Sequence, residues 1–243
     1  MTTGLTYSQY VTQIATMAVV AETDPAFLTI LPQMITYAEN RMYRDLDFLF
    51  TSGVSTAYSL TAGSRTLNVP ADTFEYGTLV VPEQINVLVG SSNPDLAERA
   101  PLLPTTKEFL DAVYGSGAVA NRGLPKYWVP FDDYTFLVGP YPDQNYPVEL
   151  IGTYRPASLS ATNTTTFISL NLPDVMIMAS MIYVSAYQRN FGRQSDDPAM
   201  AQSYESQYQA LLKGAAIEEA RKKFEASGWS SQSPSPVATP TRG

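Results

Sequence analysis

The sequence predicts an α+β fold. Helices from the N- and C-terminal parts of the chain form one helical bundle, an antiparallel β-rich domain is inserted between them, and a flexible C-terminal tail follows. Apolar residues recur at helical spacing near both ends, the middle has alternating and β-branched runs broken by Gly and Pro, and the last residues are rich in Ser and Pro. The predicted segments are 1–50 and 157–227 for the bundle, 51–156 for the inserted domain and 228–243 for the tail.

The first bundle segment is expected to hold two helices. One covers about residues 6–20, where Tyr10, Ile14, Met17 and Ala18 recur at helical spacing. The next begins after Asp24-Pro25, because an Asp side chain caps free backbone N–H groups and proline fits the first turn of a helix.

Pro32 is expected to interrupt this second segment, since it has no backbone N–H and disfavours helical geometry in the preceding residue. The main second helix is therefore predicted over residues 32–45. Its predicted buried stripe consists of Leu31, Ile35, Ala38 and Met42.

The inserted domain is expected to consist of short strands. They are predicted at 55–60, 65–69, 78–81, 84–89, 127–130, 134–138 and 148–154. Thr105 and Glu108 have the spacing of a capping box and predict one short helix among the strands. Asp132 and Asp133 fall between two strands and predict a hairpin turn.

Two long helices are expected after residue 172. Pro173 opens the first, which is apolar nearly all round and is expected to be either the centre of the bundle or a contact with a neighbouring subunit. Asp197-Pro198 opens the second, which reaches about residue 227. The apolar stripe changes phase at Gly214 before reaching Ile217, which predicts a kink or a change of packing partner. Later in this helix, the run at 218–223 is compatible with a basic contact patch. The pairs Glu218–Lys222 and Glu219–Lys223 in it are both at i, i+4 spacing, which favours a solvated face instead.

The tail holds Ser, Pro and Thr with one large side chain, Trp229, and cannot support a packed core. One interpretation is a solvated terminus without function. The other is a segment that folds on a partner, with Trp229 as a buried anchor and prolines that limit the ordering cost. The candidate partner-binding residues are Trp229, Pro234, Pro236, Val237, Pro240 and Arg242.

The composition excludes several kinds of chemistry. The chain of 243 residues has no Cys and no His, so catalytic triads with His and metal sites built on His or Cys are impossible. An oxygen-only Ca²⁺ or Mg²⁺ site is compatible with the composition, but no loop has the calcium-binding pattern. We therefore expect no cofactor and no metal.

The net charge is −8, from 15 basic and 23 acidic residues, so the chain has no general attraction for DNA. A protein that surrounds DNA and lets it slide is still compatible with this charge. Only 16% of the residues are charged, compared with about 25% in ordinary domains. This fits a surface covered by neighbouring subunits, and it equally fits a Tyr- and Thr-rich β protein.

No membrane segment is expected. The N-terminus lacks the basic region of a signal peptide. The most apolar stretch, at 175–187, is shorter than the roughly 20 residues that span a bilayer.

Three stretches of the sequence together carry a family resemblance. The first comprises LTYSQY at 5–10, ETDP at 22–25 and YAENRMYRDL at 37–46. The second comprises VGPYP at 138–142, VEL at 148–150 and GTYRP at 152–156. The third comprises DDP at 196–198, YESQY at 204–208, SGWSS at 227–231 and SPSP at 233–236. In their order and spacing, these stretches resemble the adaptor, or tail accessory, proteins of short-tailed phages.

The resemblance implies a non-enzymatic connector in the neck of a phage virion, assembled in the host cytoplasm. It implies a homo-oligomeric ring, expected to be twelvefold, that binds beneath the portal protein through its C-terminal tail. Such a ring widens the surface to which downstream tail or nozzle proteins attach and surrounds the passage for packaged double-stranded DNA. It implies no membrane partner.

Two other functions are weighed against this one. A virion-associated hydrolase that uses carboxylates alone would need a pair such as Asp132 and Asp133, but adjacent residues in a turn do not face one substrate. A monomeric module could instead bind a small ligand on its β-rich domain. No catalytic residue is expected in the preferred interpretation.

Overall fold

The computed structural model describes residues 4–69, 77–91, 93–187 and 198–226. Helices lie towards both ends of the chain and strands between them, so the predicted α+β fold class is confirmed. The chain divides into two compact units. The helical unit combines the chain up to Leu49 with the chain from Ser158 onward, and the β unit is Phe50–Ala157. The residue bounds of the four predicted segments stay a prediction, and the predicted tail lies outside the described residues.

The helical unit begins with helix α1, Tyr7–Ala18, and helix α2, Pro25–Asp45. Thr6 caps α1 reciprocally with Gln9: its hydroxyl accepts from the Gln9 N–H at 3.4 Å, and its own N–H donates to the Gln9 side chain at 2.9 Å. Asp24 caps α2 by accepting two backbone N–H bonds, as the sequence predicted. Both starts are therefore fixed by local side chains.

Helix α2 runs through Pro32, so the prediction that the helix begins there is wrong. Pro32 is exposed, and Leu28, whose carbonyl loses its usual donor, is 48% exposed, so water can reach this side of the helix. Buried side chains precede and follow the proline. Packing of these buried side chains against the other helices outweighs the cost of about 3 kcal/mol for an internal proline.

Helix α5, Pro173–Tyr187, is the centre of the helical unit. It contacts α1 and α2, the short helix α4 at Phe167–Asn171, and the long helix α6 at Pro198–Ala226. The helix α4 was not predicted. Contacts with four helices explain why α5 is apolar nearly all round. Its buried side chains include Val175, Met176, Ile177, Ala179, Met181 and Val184.

Helix α6 continues through Gly214 without a break, but its partners change near that residue. Before it, Glu205 and Tyr208 contact α2, and after it the buried Glu219 accepts a hydrogen bond from the backbone N–H of Leu49 at 3.3 Å. The expected burial of Ile217 is wrong, because its side chain is 63% exposed.

One of the two predicted ion pairs in α6 is formed. Glu218 and Lys222 lie 2.8 Å apart. Glu219 does not pair with Lys223, because its side chain turns inward, is 3% exposed and pairs with Lys222 at 2.8 Å. Lys223 instead pairs with Asp47. The sequence could not show that Glu219 lies on the buried side of the helix.

The described residues of the β unit form two four-stranded sheets. The first is antiparallel, in the order β1, β8, β3, β4, with β1 at Ser52–Leu60, β3 at Thr78–Val89, β4 at Glu98–Pro101 and β8 at Tyr146–Arg155. The second has the order β2, β7, β6, β5, with β2 at Thr66–Asn68, β5 at Leu103–Pro104, β6 at Tyr127–Pro130 and β7 at Thr135–Gly139. The β5–β6 pair is parallel, and the other pairs are antiparallel.

The two strands predicted at 78–81 and 84–89 are one strand, β3. Its register against β8 shifts between Leu79 and Val81 and again between Pro82 and Gln84. Such irregularities accommodate a proline within a strand, because the ladder is already interrupted there. The short helix α3, Lys107–Tyr114, is capped by Thr106 rather than by the predicted Thr105.

The inner faces of the two sheets share one hydrophobic core. Tyr58, Leu60, Val148 and Leu150 come from the first sheet, while Leu67, Trp128, Phe136 and Val138 come from the second. Alternating inward residues on facing strands produce such a core in a β sandwich.

Candidate interaction surface

The residues predicted to bind a partner, Trp229, Pro234, Pro236, Val237, Pro240 and Arg242, lie outside the described residues. The described part of the helical unit has a separate feature on the outer face of α2. It is a groove of about 660 Å³, here called the α2 groove. Its described lining consists of Pro32, Gln33, Thr36, Tyr37, Asn40, Arg41, Arg44 and Asp45.

Helical spacing places these side chains opposite the core. Leu31, Ile35 and Met42 of the same helix are buried, as the sequence predicted. The groove residues recur three and four positions apart on the other side. The outer face of α2 is thus both polar and aromatic, and the inner face anchors it to the bundle.

Arg41 connects the groove to α6. Its Nη2 lies 2.6 Å from Oε1 of Glu205, and its Nε lies 3.6 Å from Oδ2 of Asp45. The guanidinium also sits over the ring of Tyr208, 4.4 Å from the centroid, and the Tyr208 hydroxyl donates to Asp45 at 2.8 Å. These contacts fix the position of Arg41 at the edge of the groove.

Electrostatics keeps this cluster ionised. Burial lowers the pKa of Arg41, but the hydrogen bond and charge of Glu205 raise it above its ordinary value overall. The hydrogen bond from Arg41 holds the pKa of Glu205 below its usual range. Burial and the bond to Asp45 raise the pKa of Tyr208. Arg41 and Glu205 therefore stay charged and Tyr208 keeps its hydroxyl proton near neutral pH, so that these three side chains can position a ligand.

The other end of the groove is aromatic. The rings of Tyr37 and Tyr183 lie 5.0 Å apart at an interplanar angle of 37°, and the Tyr183 hydroxyl donates to Oε1 of Gln33 at 3.2 Å. Tyr37 is 37% exposed. Arg44 is exposed and has no ion pair among the described residues. The groove thus combines a flat aromatic surface with amide and guanidinium donors.

The β unit carries a second set of exposed features. In the turn between β6 and β7, Phe131 is 60% exposed and Tyr134 is 41% exposed. The Asp132 carboxylate accepts from the Tyr134 N–H at 2.8 Å, so the predicted turn is confirmed. On α3, Phe109 and Val113 share an exposed face, 37% and 55% accessible. Phe109 contacts the rings of Tyr114 and Tyr127 edge-on.

The described residues contain no group of three or more acidic side chains that could hold a metal ion. Asp132 and Asp133 lie in the turn already described rather than in a cleft. No helix in the part of the chain that the structure describes is long and apolar enough to span a membrane.

The α2 groove was not predicted from the sequence. The signal was present, because Gln33, Tyr37, Asn40 and Arg44 form a second helical stripe opposite the apolar one. The run at 37–46 also carried part of the family resemblance. A polar stripe on a helix is ordinarily only its solvated face, so the pattern alone did not distinguish the two.

The described residues thus present two kinds of surface, the α2 groove on the helical unit and the exposed aromatic side chains of the β unit. The sequence profile of the SU10 adaptor protein family matches residues 5–238, and the chain belongs to this family. A search of curated proteins finds no match. Membership confirms the predicted adaptor family. It implies a structural role in the neck of a phage virion, in contact with portal and tail proteins.

Proposed function

We propose that this chain is one subunit of a non-enzymatic head-to-tail ring that binds beneath the portal. The ring has twelve subunits, which match the twelvefold symmetry of the portal. The tail at 228–243 docks on the portal, and the assembled ring offers a new attachment surface to the downstream tail proteins. The observation that carries the proposal is the family match over residues 5–238.

The composition and the surface of the described residues support this role. Only 16% of the residues are charged, and both units expose aromatic side chains at fixed positions, Tyr37 on α2 and Phe131 in the hairpin turn. Aromatic residues are enriched where protein surfaces are covered by partners. A protein that acts by binding needs surfaces of this kind and no chemistry of its own.

The tail is proposed as the portal-binding element. Trp229 serves as the buried anchor, since Trp is among the commonest hot-spot residues of interfaces. Pro234, Pro236 and Pro240 restrict the free segment and so reduce the entropy lost on binding, while Val237 and Arg242 add apolar and charged contacts.

The charge of the chain suits a DNA passage. With a net charge of −8, a ring of these subunits does not release enough counterions to hold the phosphate backbone. DNA would therefore slide through it rather than be bound. Tight binding of duplex DNA by the assembled ring at moderate salt would contradict this part of the proposal.

Co-sedimentation with purified portal rings tests the proposal. The chain without residues 228–243 should stay folded, by circular dichroism, and should no longer sediment with the portal. In the full-length chain, Trp229→Ala should weaken binding by about tenfold or more, as expected for a hot-spot Trp. The matched control Ser231→Ala should bind like the unmodified chain.

The mass of the portal-bound assembly then gives the number of copies. A mass equal to one portal ring plus twelve subunits supports the proposed stoichiometry. Unchanged co-sedimentation of the truncated chain would exclude the tail as the portal-binding element. Turnover of peptidoglycan by the purified protein would instead favour the hydrolase.

A further inference from the structure

The α2 groove has the chemistry of a site for an extended, proline-rich peptide. Such peptides adopt the polyproline II conformation, in which no backbone carbonyl has an internal partner. Grooves that bind them offer flat aromatic rings to the prolines and side-chain donors to the carbonyls. Tyr37, packed on Tyr183, provides the ring, and Gln33 and Asn40 provide amide donors.

The chain itself carries a segment of this kind. Residues 233–240 read SPSPVATP and contain no charged side chain. An uncharged segment meets no repulsion in a groove that already contains the ion-paired Arg41 and Asp45. Pro, Ser and Thr in this proportion favour polyproline II over helix or strand.

The lengths of helix and tail agree with binding in the same chain. Helix α6 passes the groove at Glu205, which pairs with Arg41, and reaches Asp47 at Lys223, three residues before it ends at Ala226. At about 1.5 Å per residue, the stretch from Glu205 to Ala226 spans about 30 Å. A polyproline II segment rises about 3.1 Å per residue, so the chain from 227 to 236 covers about the same distance. A tail that turns back along α6 therefore brings residues 233–240 to the groove.

We propose that, in the free subunit, residues 233–240 of the same chain bind in the α2 groove in the polyproline II conformation. This docking stands independently of the proposed function. Its consequence rests on that function: the portal competes with the subunit's own groove for the tail, and portal binding uncovers Tyr37 and Arg44.

Disulfide trapping in the full-length chain tests the docking. The chain has no cysteine of its own, so a pair of introduced cysteines reports one contact. The test pair is Thr36→Cys with Thr239→Cys, because Thr36 lines the groove and a tail that turns back along α6 reaches its level near residue 239; both changes leave the three tail prolines in place. The control pair is Gln13→Cys with Thr239→Cys, because Gln13 is exposed on a different helix, α1.

The test pair should form an intrachain disulfide at least about tenfold faster than the control pair, since docking raises the local concentration of one thiol at the other. The rate should not depend on protein concentration. Tyr37→Ala, or replacement of the three tail prolines by Ala, should reduce the rate to that of the control pair. The proline variants leave the bundle untouched, so they remain informative even where Tyr37→Ala disturbs the fold.

Equal rates for the two pairs would overturn the proposal, as would a test-pair rate that is insensitive to the proline substitutions. Disulfide dimers in place of the intrachain product would also overturn it, because they would place a second copy in the groove. None of these results depends on the portal. Failure of the docking is therefore separate from failure of portal binding, which co-sedimentation measures.

Discussion

The carboxylate of Glu39, in the middle of α2, accepts a hydrogen bond from the backbone N–H of Leu159 at 3.0 Å, and both residues are about 2% exposed. Leu159 lies directly after the point where the chain leaves the β unit and rejoins the helical unit. The second carboxylate oxygen, Oε2, has no hydrogen-bond partner. Glu39 thus holds the backbone at Leu159, where the chain has rejoined the helical unit. Its carboxylate is poorly solvated there, because it is buried.

Relative to the parent protein, Glu39→Gln should become more stable as the pH rises from acid to neutral. Burial raises the pKa of Glu39, although hydrogen bonds from Leu159 and Ser158 act in the opposite direction. When the pKa of a group is higher in the folded state than in the unfolded state, its contribution to stability is fully present below the unfolded-state pKa. That contribution is lost as the pH rises through the folded-state pKa. The amide keeps an acceptor for Leu159 and does not ionise. In urea unfolding between pH 4 and pH 8, the free energy of unfolding of the variant should increase relative to that of the parent as the pH rises. A difference that does not change with pH would contradict this.

Glu149 should have the opposite pH dependence. It accepts from Arg99 Nη2 at 2.8 Å and from Asn86 at 2.8 Å, and the hydrogen bond from Arg99 lowers its pKa below the usual value despite the opposing effect of burial. A lowered folded-state pKa gives stability that is present above the unfolded value and lost as the pH falls. Glu149→Gln should therefore be destabilising at pH 7, and the difference should shrink towards pH 3. A loss that is the same at both pH values would show that the carboxylate charge contributes nothing.

Two glycines should respond to alanine in opposite ways. In β8, a Cβ on Gly152 would lie 2.4 Å from the carbonyl oxygen of Val81, so Gly152→Ala should destabilise the β unit by about 1–3 kcal/mol. In α6, a Cβ on Gly214 would meet nothing within 4 Å, so Gly214→Ala should stabilise the helix by about 0.5–1 kcal/mol. Urea unfolding of both variants measures the two effects. A stabilising change at Gly152 would contradict the close approach of the two strands.

The buried hydroxyl of Tyr10 should contribute measurably to the helical unit. It lies 2.6 Å from the Ser180 hydroxyl, which also donates to the Met176 carbonyl at 2.7 Å. Tyr10→Phe removes one buried hydrogen bond without a change of shape and should cost about 1–2 kcal/mol of unfolding free energy. Tyr134→Phe, in the exposed hairpin turn, is the matched control and should cost close to nothing. Equal effects of the two variants would exclude a special role for the Tyr10–Ser180 contact.

Sequence periodicity predicted most of the elements, and its errors have physical causes. Pro32 did not end α2, because its ring faces solvent, and only the packed helix determines which face a proline occupies. The strands β4 and β5 escaped prediction since they are only four and two residues long. Glu219 was assigned to a solvated face, although a backbone N–H and a lysine from the same helix draw it inward.

The order of the two units along the chain has a consequence for synthesis. The β unit is one continuous stretch, Phe50–Ala157, whereas α1 and α2 pack on α5, which is translated only after that stretch. On the ribosome, the first two helices therefore wait with their apolar faces uncovered while the sandwich can already close. Of the two units, the helical one is thus completed later, and α1 and α2 depend on protection from aggregation until α5 has been made.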